Sequence, residues 1–192
     1  MREFVYFSQS AQTSGKFNKE DLMKAGRLDI AMHVIINAFF LSHKLRDDVK
    51  LHLIFYGMPD PPKHIELSVK AETGLSKKDV AGLIKKTLYK YRPGKKTEVF
   101  PGCFIEKKSF LDVIEELSSK GKKIYIMDKR GEDIRKMKDV ENSVFVIGDQ
   151  DGFPKKEIKR LKKVTHTISV GPEIYFASQV ITIINNEMDL RS

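Results

Sequence analysis

Three short stretches carry residue types suited to binding a small organic ligand. Val144-Phe145-Val146-Ile147-Gly148-Asp149-Gln150-Asp151-Gly152-Phe153-Pro154 runs from a wholly apolar segment into Gly, acid, Gly and Pro. Thr167-Ile168-Ser169-Val170-Gly171-Pro172-Glu173-Ile174-Tyr175 repeats the pattern of strand, Gly and then helix. Ile124-Tyr125-Ile126-Met127-Asp128-Lys129-Arg130-Gly131 ends a third strand in a polar turn. Glycine at a strand end lets a ligand reach backbone amides and carbonyls. Ligands of open parallel sheets bind just beyond the carboxyl ends of the strands. Pro172 suits the first turn of a helix, and free amides at a helix start can hold a carboxylate. Taken singly, each stretch is equally an ordinary turn. At one sheet edge the three would wall a single pocket.

Other chemistries are excluded by what is missing. No Gly-x-Gly-x-x-Gly follows the first strand and no Walker loop occurs, which argues against dinucleotide and triphosphate sites. No Gly-x-Ser-x-Gly elbow appears. The five His residues lack metal-ligand spacing and Cys103 is the single cysteine, so no metal is expected. One cysteine also suits a reducing compartment. No run approaches the ~20 apolar residues of a membrane span, and Met1–Phe7 reads as a strand rather than a signal peptide. These features predict a cytoplasmic protein.

The elements that must position these loops follow from the alternation of apolar and amphipathic runs. Strands are predicted over 3–7, 49–56, 64–70, 123–127, 144–148 and 167–170. Helices are predicted over 27–43, 77–89, 109–117, 132–137, 155–163 and 173–188. Residues 8–26 read as a long functional loop. Met58-Pro59-Asp60-Pro61-Pro62 makes a rigid turn, so 49–70 reads as a small β-hairpin extension with one wet face. The expected fold is a single α/β domain over 1–192, a mostly parallel sheet with helices on both faces.

Lys and Arg total 35 against 26 Asp and Glu, a net charge of +9. Such a surplus attracts polyanions, nucleic acid foremost. Two clusters stand out: Lys155, Lys156, Lys159, Arg160, Lys162 and Lys163, and Lys85, Lys86, Lys90, Arg92, Lys95 and Lys96.

Gly148-Asp149-Gln150-Asp151-Gly152-Phe153-Pro154 after a buried strand, Ile168-Ser169-Val170-Gly171-Pro172-Glu173-Ile174-Tyr175 before the last helix, and Gly26-Arg27-Leu28-Asp29 opening the first helix occur in one order. In that combination the sequence resembles the archaeal tRNA pseudouridine-54 N1-methyltransferases, of the SPOUT class. The resemblance spans essentially the whole chain. It implies a C-terminal deep trefoil knot, a bent S-adenosylmethionine held by loops of the knot, and a homodimer packed through knot helices. The residues implied in cofactor binding are Met127, Gly148, Ile168, Ser169, Val170, Gly171, Pro172, Glu173, Ile174, Tyr175 and Ala177. Met127, Ile168 and Val170 would form a dry slot for the adenine. The family pattern often has a Cys near the start of the last helix. Here the stretch is Phe176-Ala177-Ser178, so no thiol can act there.

Methylation of a pseudouridine N1 needs in-line alignment and a route for the N1 proton. Asp29 is the expected proton acceptor or charge stabiliser. Arg27, two residues earlier, is expected to hold a phosphate or the base. Phe17, in the 8–26 loop, could stack on a splayed nucleotide. Two alternatives stay open: methylation of a ribosomal-RNA pseudouridine, and a non-catalytic RNA-binding assembly factor.

Overall fold

The computed structural model describes residues 1–69, 75–138, 140–161 and 163–191. One eight-stranded sheet organises them, in the order β4-β5-β3-β2-β1-β7-β6-β8. The strands are β1 (Arg2–Ser8), β2 (Val49–Phe55), β3 (Lys63–Ser68), β4 (Thr97–Phe100), β5 (Cys103–Glu106), β6 (Lys123–Asp133), β7 (Ser143–Gly148) and β8 (Thr165–Ser169). Strands β2, β1, β7, β6 and β8 run parallel; β3, β5 and β4 attach antiparallel at one side. The apolar runs at β1 and β7 lie at the centre of the sheet, where both faces are covered. All seven β1 residues are buried.

Helices cover both faces, as the alternating pattern predicts. One face carries α1 (Leu28–Phe39), α2 (Val80–Tyr89) and α5 (Ala177–Leu190), packed over Phe4, Tyr6, Phe145 and Ile147. The other carries α3 (Phe110–Ser119) and α4 (Lys155–Leu161), packed over Val5, Phe7, Val144 and Val146. Alternate β1 and β7 residues thus feed opposite cores, the period-2 rule of a strand. Ser109 starts α3 with a reciprocal cap: its Oγ accepts from the Asp112 amide and the Asp112 carboxylate accepts from the Ser109 amide. Glu157 of α4 accepts from the Leu111 amide at 2.9 Å and from the Tyr56 hydroxyl, tying α4 to the α3 start. That anchor fixes the far end of the loop after β7.

Several expectations are corrected. α1 ends at Phe39, not His43, because Phe40 turns to extended backbone and bridges to Leu45. Residues 132–137 are the end of β6 and one 3-10 turn, since Glu132 and Asp133 rejoin β8 after a bulge. α5 starts at Ala177, not Glu173; the Phe176 amide is capped by the Gln179 side chain, and 171–176 are irregular. The β4–β5 hairpin is an element the sequence reading lacked.

The expected wet face of β2 and β3 is also overturned. It carries a buried polar ladder across four strands. His52 Nε2 meets Glu3 Oε1 at 3.1 Å, His52 Nδ1 meets His64 Nε2 at 2.9 Å, and His64 Nδ1 meets Glu106 Oε1 at 3.0 Å. Lys50 and Lys96 grip the two oxygens of Glu66. His52, His64 and Glu66 form a group of metal-ligating types with donor atoms within 4.8 Å of one another. Strand pairing brings them together, which linear spacing could not reveal. Their ring nitrogens and carboxylate oxygens are already committed to protein partners.

This ladder makes stability fall with acidification. Burial alone would raise Glu3 and Glu66. Hydrogen bonds from His52 and Lys122, and from Lys96 and Lys50, outweigh it and hold both near about 2. Burial pushes His64 down to about 4, against the pull of Glu106. The carboxylate contribution is present above the unfolded value of 4.5 and is lost as pH falls towards 2. The His64 contribution is complete above 6.5 and is lost as pH falls through 4. The melting temperature should therefore decline steadily below pH 6.5, and His64→Gln should flatten the limb between 6.5 and 4. A melting temperature constant down to pH 4 would contradict the assignment.

Candidate functional site

The carboxyl ends of β6, β7 and β8 open onto a cavity of about 490 Å³. Three loops wall it: 127–130 within β6, 148–153 after β7, and 169–175 after β8. Ile147 and Val180 complete the lining from β7 and α5. The volume lies within the roughly 300–1,000 Å³ of small-molecule pockets. Its floor is apolar, with Met127, Ile147, Val170, Ala177 and Val180, and its rim carries Asp128, Lys129, Arg130, Asp149 and Glu173.

Each loop is held by local bonds. Asp149 Oδ2 accepts from Ser8 Oγ at 2.7 Å and from the Gln9 amide at 2.9 Å, joining the β7 loop to the end of β1. Its other oxygen accepts from the Asp151 amide. Ser169 Oγ donates to the Gly171 carbonyl and accepts from the Gly171 amide. Asp128 is paired with Arg130, which holds its carboxyl below the usual range. Gly131 must lack a side chain, because a Cβ there would lie 2.5 Å from the Ile168 backbone.

Of the residues expected to bind a cofactor, Met127, Gly148, Ser169, Val170, Gly171, Glu173, Ile174, Tyr175 and Ala177 line the cavity. Ile168 and Pro172 do not border it. Ile168 is buried in the core at 2% exposure, while Val170, just past the end of β8, reaches both the core and the cavity. Asp149, Ile147, Phe153 and Val180 line it without having been singled out. The signal for Ile147 and Phe153 was their place in the quoted β7 stretch; Val180 carried none beyond helical spacing.

Arg27 and Asp29 stand apart from the cavity lining, at the N-terminal end of α1. Arg27 Nε donates to Asp29 Oδ1 at 3.0 Å and its Nη2 to Oδ2 at 3.0 Å, a bidentate pair. The guanidinium holds the Asp29 carboxyl below its ordinary value. Gly26 and Arg27 both have left-handed backbone, with φ of 67° and 63°. At Gly26 a Cβ would meet the Ser10 carbonyl oxygen at 1.8 Å. A left-handed arginine is uncommon and persists only where surroundings enforce it. Here the 8–26 loop, which sends Ala11, Leu22 and Ala25 into the core, enforces it.

Phe17 is corrected: it is 8% exposed and packed in the core beneath Lys85, whose Nζ donates to its carbonyl, so it offers no ring face to a nucleotide. Lys85 and Lys96 are thereby engaged. Lys155, Lys156, Lys159, Arg160 and Lys163 are exposed around α4, beside the cavity loop; Lys162 lies outside the described residues. Cys103 is buried and its thiol is pushed up to about 12, far from a nucleophilic state.

On the last helix Val180, Ile181 and Ile184 face their own core; large exposed apolar residues here are Ile174 and Phe176 in the loop before it and Leu190 at its end. Among the described residues no helix is long and apolar enough to cross a membrane.

Residues 1–192 match the family of SAM-dependent RNA methyltransferases. The chain is 36% identical over 194 residues to the tRNA (pseudouridine(54)-N(1))-methyltransferase of Methanococcoides burtonii, covering 98% of this chain and 96% of that one. It is 33% identical to the protein so named in Methanocaldococcus jannaschii, covering 98% and 97%. Archaeoglobus fulgidus Nep1, solved bound to S-adenosylhomocysteine, superposes with a TM-score of 0.67 at 14% identity, over 98% of this chain and 97% of that one. That likeness concerns the fold.

Proposed function

The chain belongs to the SAM-dependent RNA methyltransferases, and we propose that it methylates N1 of pseudouridine 54 in tRNA, with S-adenosylmethionine held in the β6–β7–β8 cavity. The single observation that carries the location is the convergence of three strand-end loops on one apolar-floored cavity. The full-length relatives named for this activity carry the substrate.

The cavity fits the cofactor's chemistry. Met127, Ile147 and Val170 suit an adenine ring, and Gly148 and Gly171 leave backbone groups within reach of its polar edge. When bound, the cofactor supplies a methyl on a sulfonium sulfur. The protein's work is alignment and charge control. For N1 to accept that methyl, its proton would have to leave. Asp29 receives that proton or offsets the developing charge. Arg27 moves from Asp29 to a phosphate or the base when RNA arrives, raising the basicity of the carboxylate it releases. No metal takes part in this scheme.

The exposed basic face of α4 supports backbone contact with tRNA, which positions the RNA without reading sequence. The left-handed arginine supports strain stored at a working site. We further propose a single cytoplasmic catalytic domain, its C-terminal chain threaded as a trefoil knot. Exposed Ile174 and Phe176 support a homodimer in which they are covered by a second copy.

The test is mass spectrometry of tRNA carrying pseudouridine 54 after incubation with the protein and isotopically labelled cofactor. The expected result is one labelled methyl on that nucleoside. A label on ribosomal RNA but not tRNA would transfer the reading to the ribosomal substrate. No label on either, with cofactor binding absent in a melting assay, would favour a binding module.

A further inference from the structure

Among the described residues, two buried side-chain hydroxyls, those of Tyr6 and Ser143, have no hydrogen-bond partner. The Tyr6 hydroxyl lies at 1% exposure and makes no hydrogen bond. Such a group destabilises the fold and calls for an explanation. The hydroxyl of Ser8 lies close enough to pull the phenol's ionisation down, but its own hydrogen bonds are made elsewhere. That hydroxyl gives its proton to Asp149 and accepts from the Ala11 amide.

Its position is informative. Tyr6 pairs with Ile147 in the β1–β7 ladder, so the two side chains share one face, and Ile147 lines the cofactor cavity. On its other side stands the Arg27–Asp29 pair at the α1 start. Burial raises the phenol's ionisation far above its ordinary value; Asp149 and Asp29 raise it further, and Ser8 and Arg27 oppose them. All three charges therefore reach this one hydroxyl, and it stays protonated, a donor without an acceptor. Tyr6 does not itself line the cavity; it lies behind Ile147, within electrostatic reach of Asp149 on the cavity rim and of the Arg27–Asp29 pair.

We propose that the Tyr6 hydroxyl is a substrate-binding group, whose hydrogen-bond partner is a ring carbonyl of the base being methylated. The inference rests on the function proposed above. It accounts for the unpaired hydroxyl: the group is kept ready for a partner that arrives with the RNA, at the expense of folding stability. A site built to hydrogen-bond a substrate group loses heavily when one side of the bond is missing.

Tyr6→Phe tests it with three measurements beside the wild type: melting temperature, cofactor affinity and single-turnover methylation of tRNA. The expected variant melts at or above the wild-type temperature, because an unsatisfied hydroxyl has been removed. It binds S-adenosylmethionine as the wild type does and loses about tenfold or more in kcat/KM for tRNA. Wild-type kcat/KM in the variant would overturn the proposal. So would a clear drop in melting temperature, which would mean that the hydroxyl is already paired within the fold. An inactive wild type would take down the function reading and this one with it. An active wild type with an equally active variant removes Tyr6 alone.

Discussion

Gly148→Val should weaken S-adenosylmethionine binding at least tenfold, about 1.4 kcal/mol. Gly148 is the last residue of β7 and lines the cavity. A Cβ there would sit 3.3 Å from the Phe153 ring and 3.4 Å from Gly152, already tighter than ordinary contact. The two further methyls of valine have no place on the core side, where Phe153 stacks against Phe110 and packs near Phe7. They project into the space of the ligand and cover the backbone groups that would meet its polar edge. The backbone itself raises no objection, because Gly148 is not among the positive-φ glycines and β-branched residues suit strands. The variant should therefore fold, which a melting curve establishes before calorimetry is read. Unchanged affinity in the folded variant would take Gly148 out of the site.

The sequence made some of this legible and hid the rest for physical reasons. The parallel core could be read because β1 and β7 are continuous apolar runs, the mark of strands covered on both faces. The cavity loops could be read because each follows such a run with glycine and polar residues. The start of α5 misled: Pro172 is permitted in a first helical turn, but nothing in composition distinguishes a turn that begins there from an irregular wall that delays the helix to Ala177. The β4–β5 hairpin is four residues a strand, turned at Pro101-Gly102, too short for alternation to announce itself. The His52–His64 ladder depended on register: a pairing of β2 with β3 places residues twelve apart in sequence edge to edge. Phe17 was misread because a polar, interrupted stretch was taken for a surface loop, while its few apolar residues are what bury it.

Tyr6 was hidden differently. It sits in a strand that reads as core, and its ring is core; only the missing partner of its hydroxyl marks it. The same separation of body and tip holds for Arg27 and Asp29. Their spacing of two placed them at a helix start, and from the αL backbone of Arg27 the guanidinium reaches forward onto Asp29. The pair is half-exposed, with side chains 40% and 24% accessible. An ion pair so placed adds little to stability in water, too little to account for a strained arginine.

Asp29→Asn separates the two accounts of that pair. The substitution keeps the size and an oxygen that can still accept from Arg27, and removes the charge. In the free protein the Arg27 guanidinium keeps the Asp29 carboxyl below its ordinary value, so it is ionised at neutral pH and weakly basic. On the proposed mechanism, transfer of Arg27 to the RNA would raise its affinity for a proton at the moment N1 must lose one. On that mechanism turnover falls by about 10² or more. Binding of cofactor and tRNA changes little, because the interaction is made in the transition state. If Asp29 only complements the positive end of α1, the variant loses up to about 1 kcal/mol of stability and keeps its rate. A melting curve, a cofactor titration and single-turnover methylation decide between these outcomes. A folded Asp29→Asn protein methylating at close to the wild-type single-turnover rate would end the catalytic assignment. The N1 proton would then pass to water, and alignment in the β6–β7–β8 cavity would supply the whole of the catalysis.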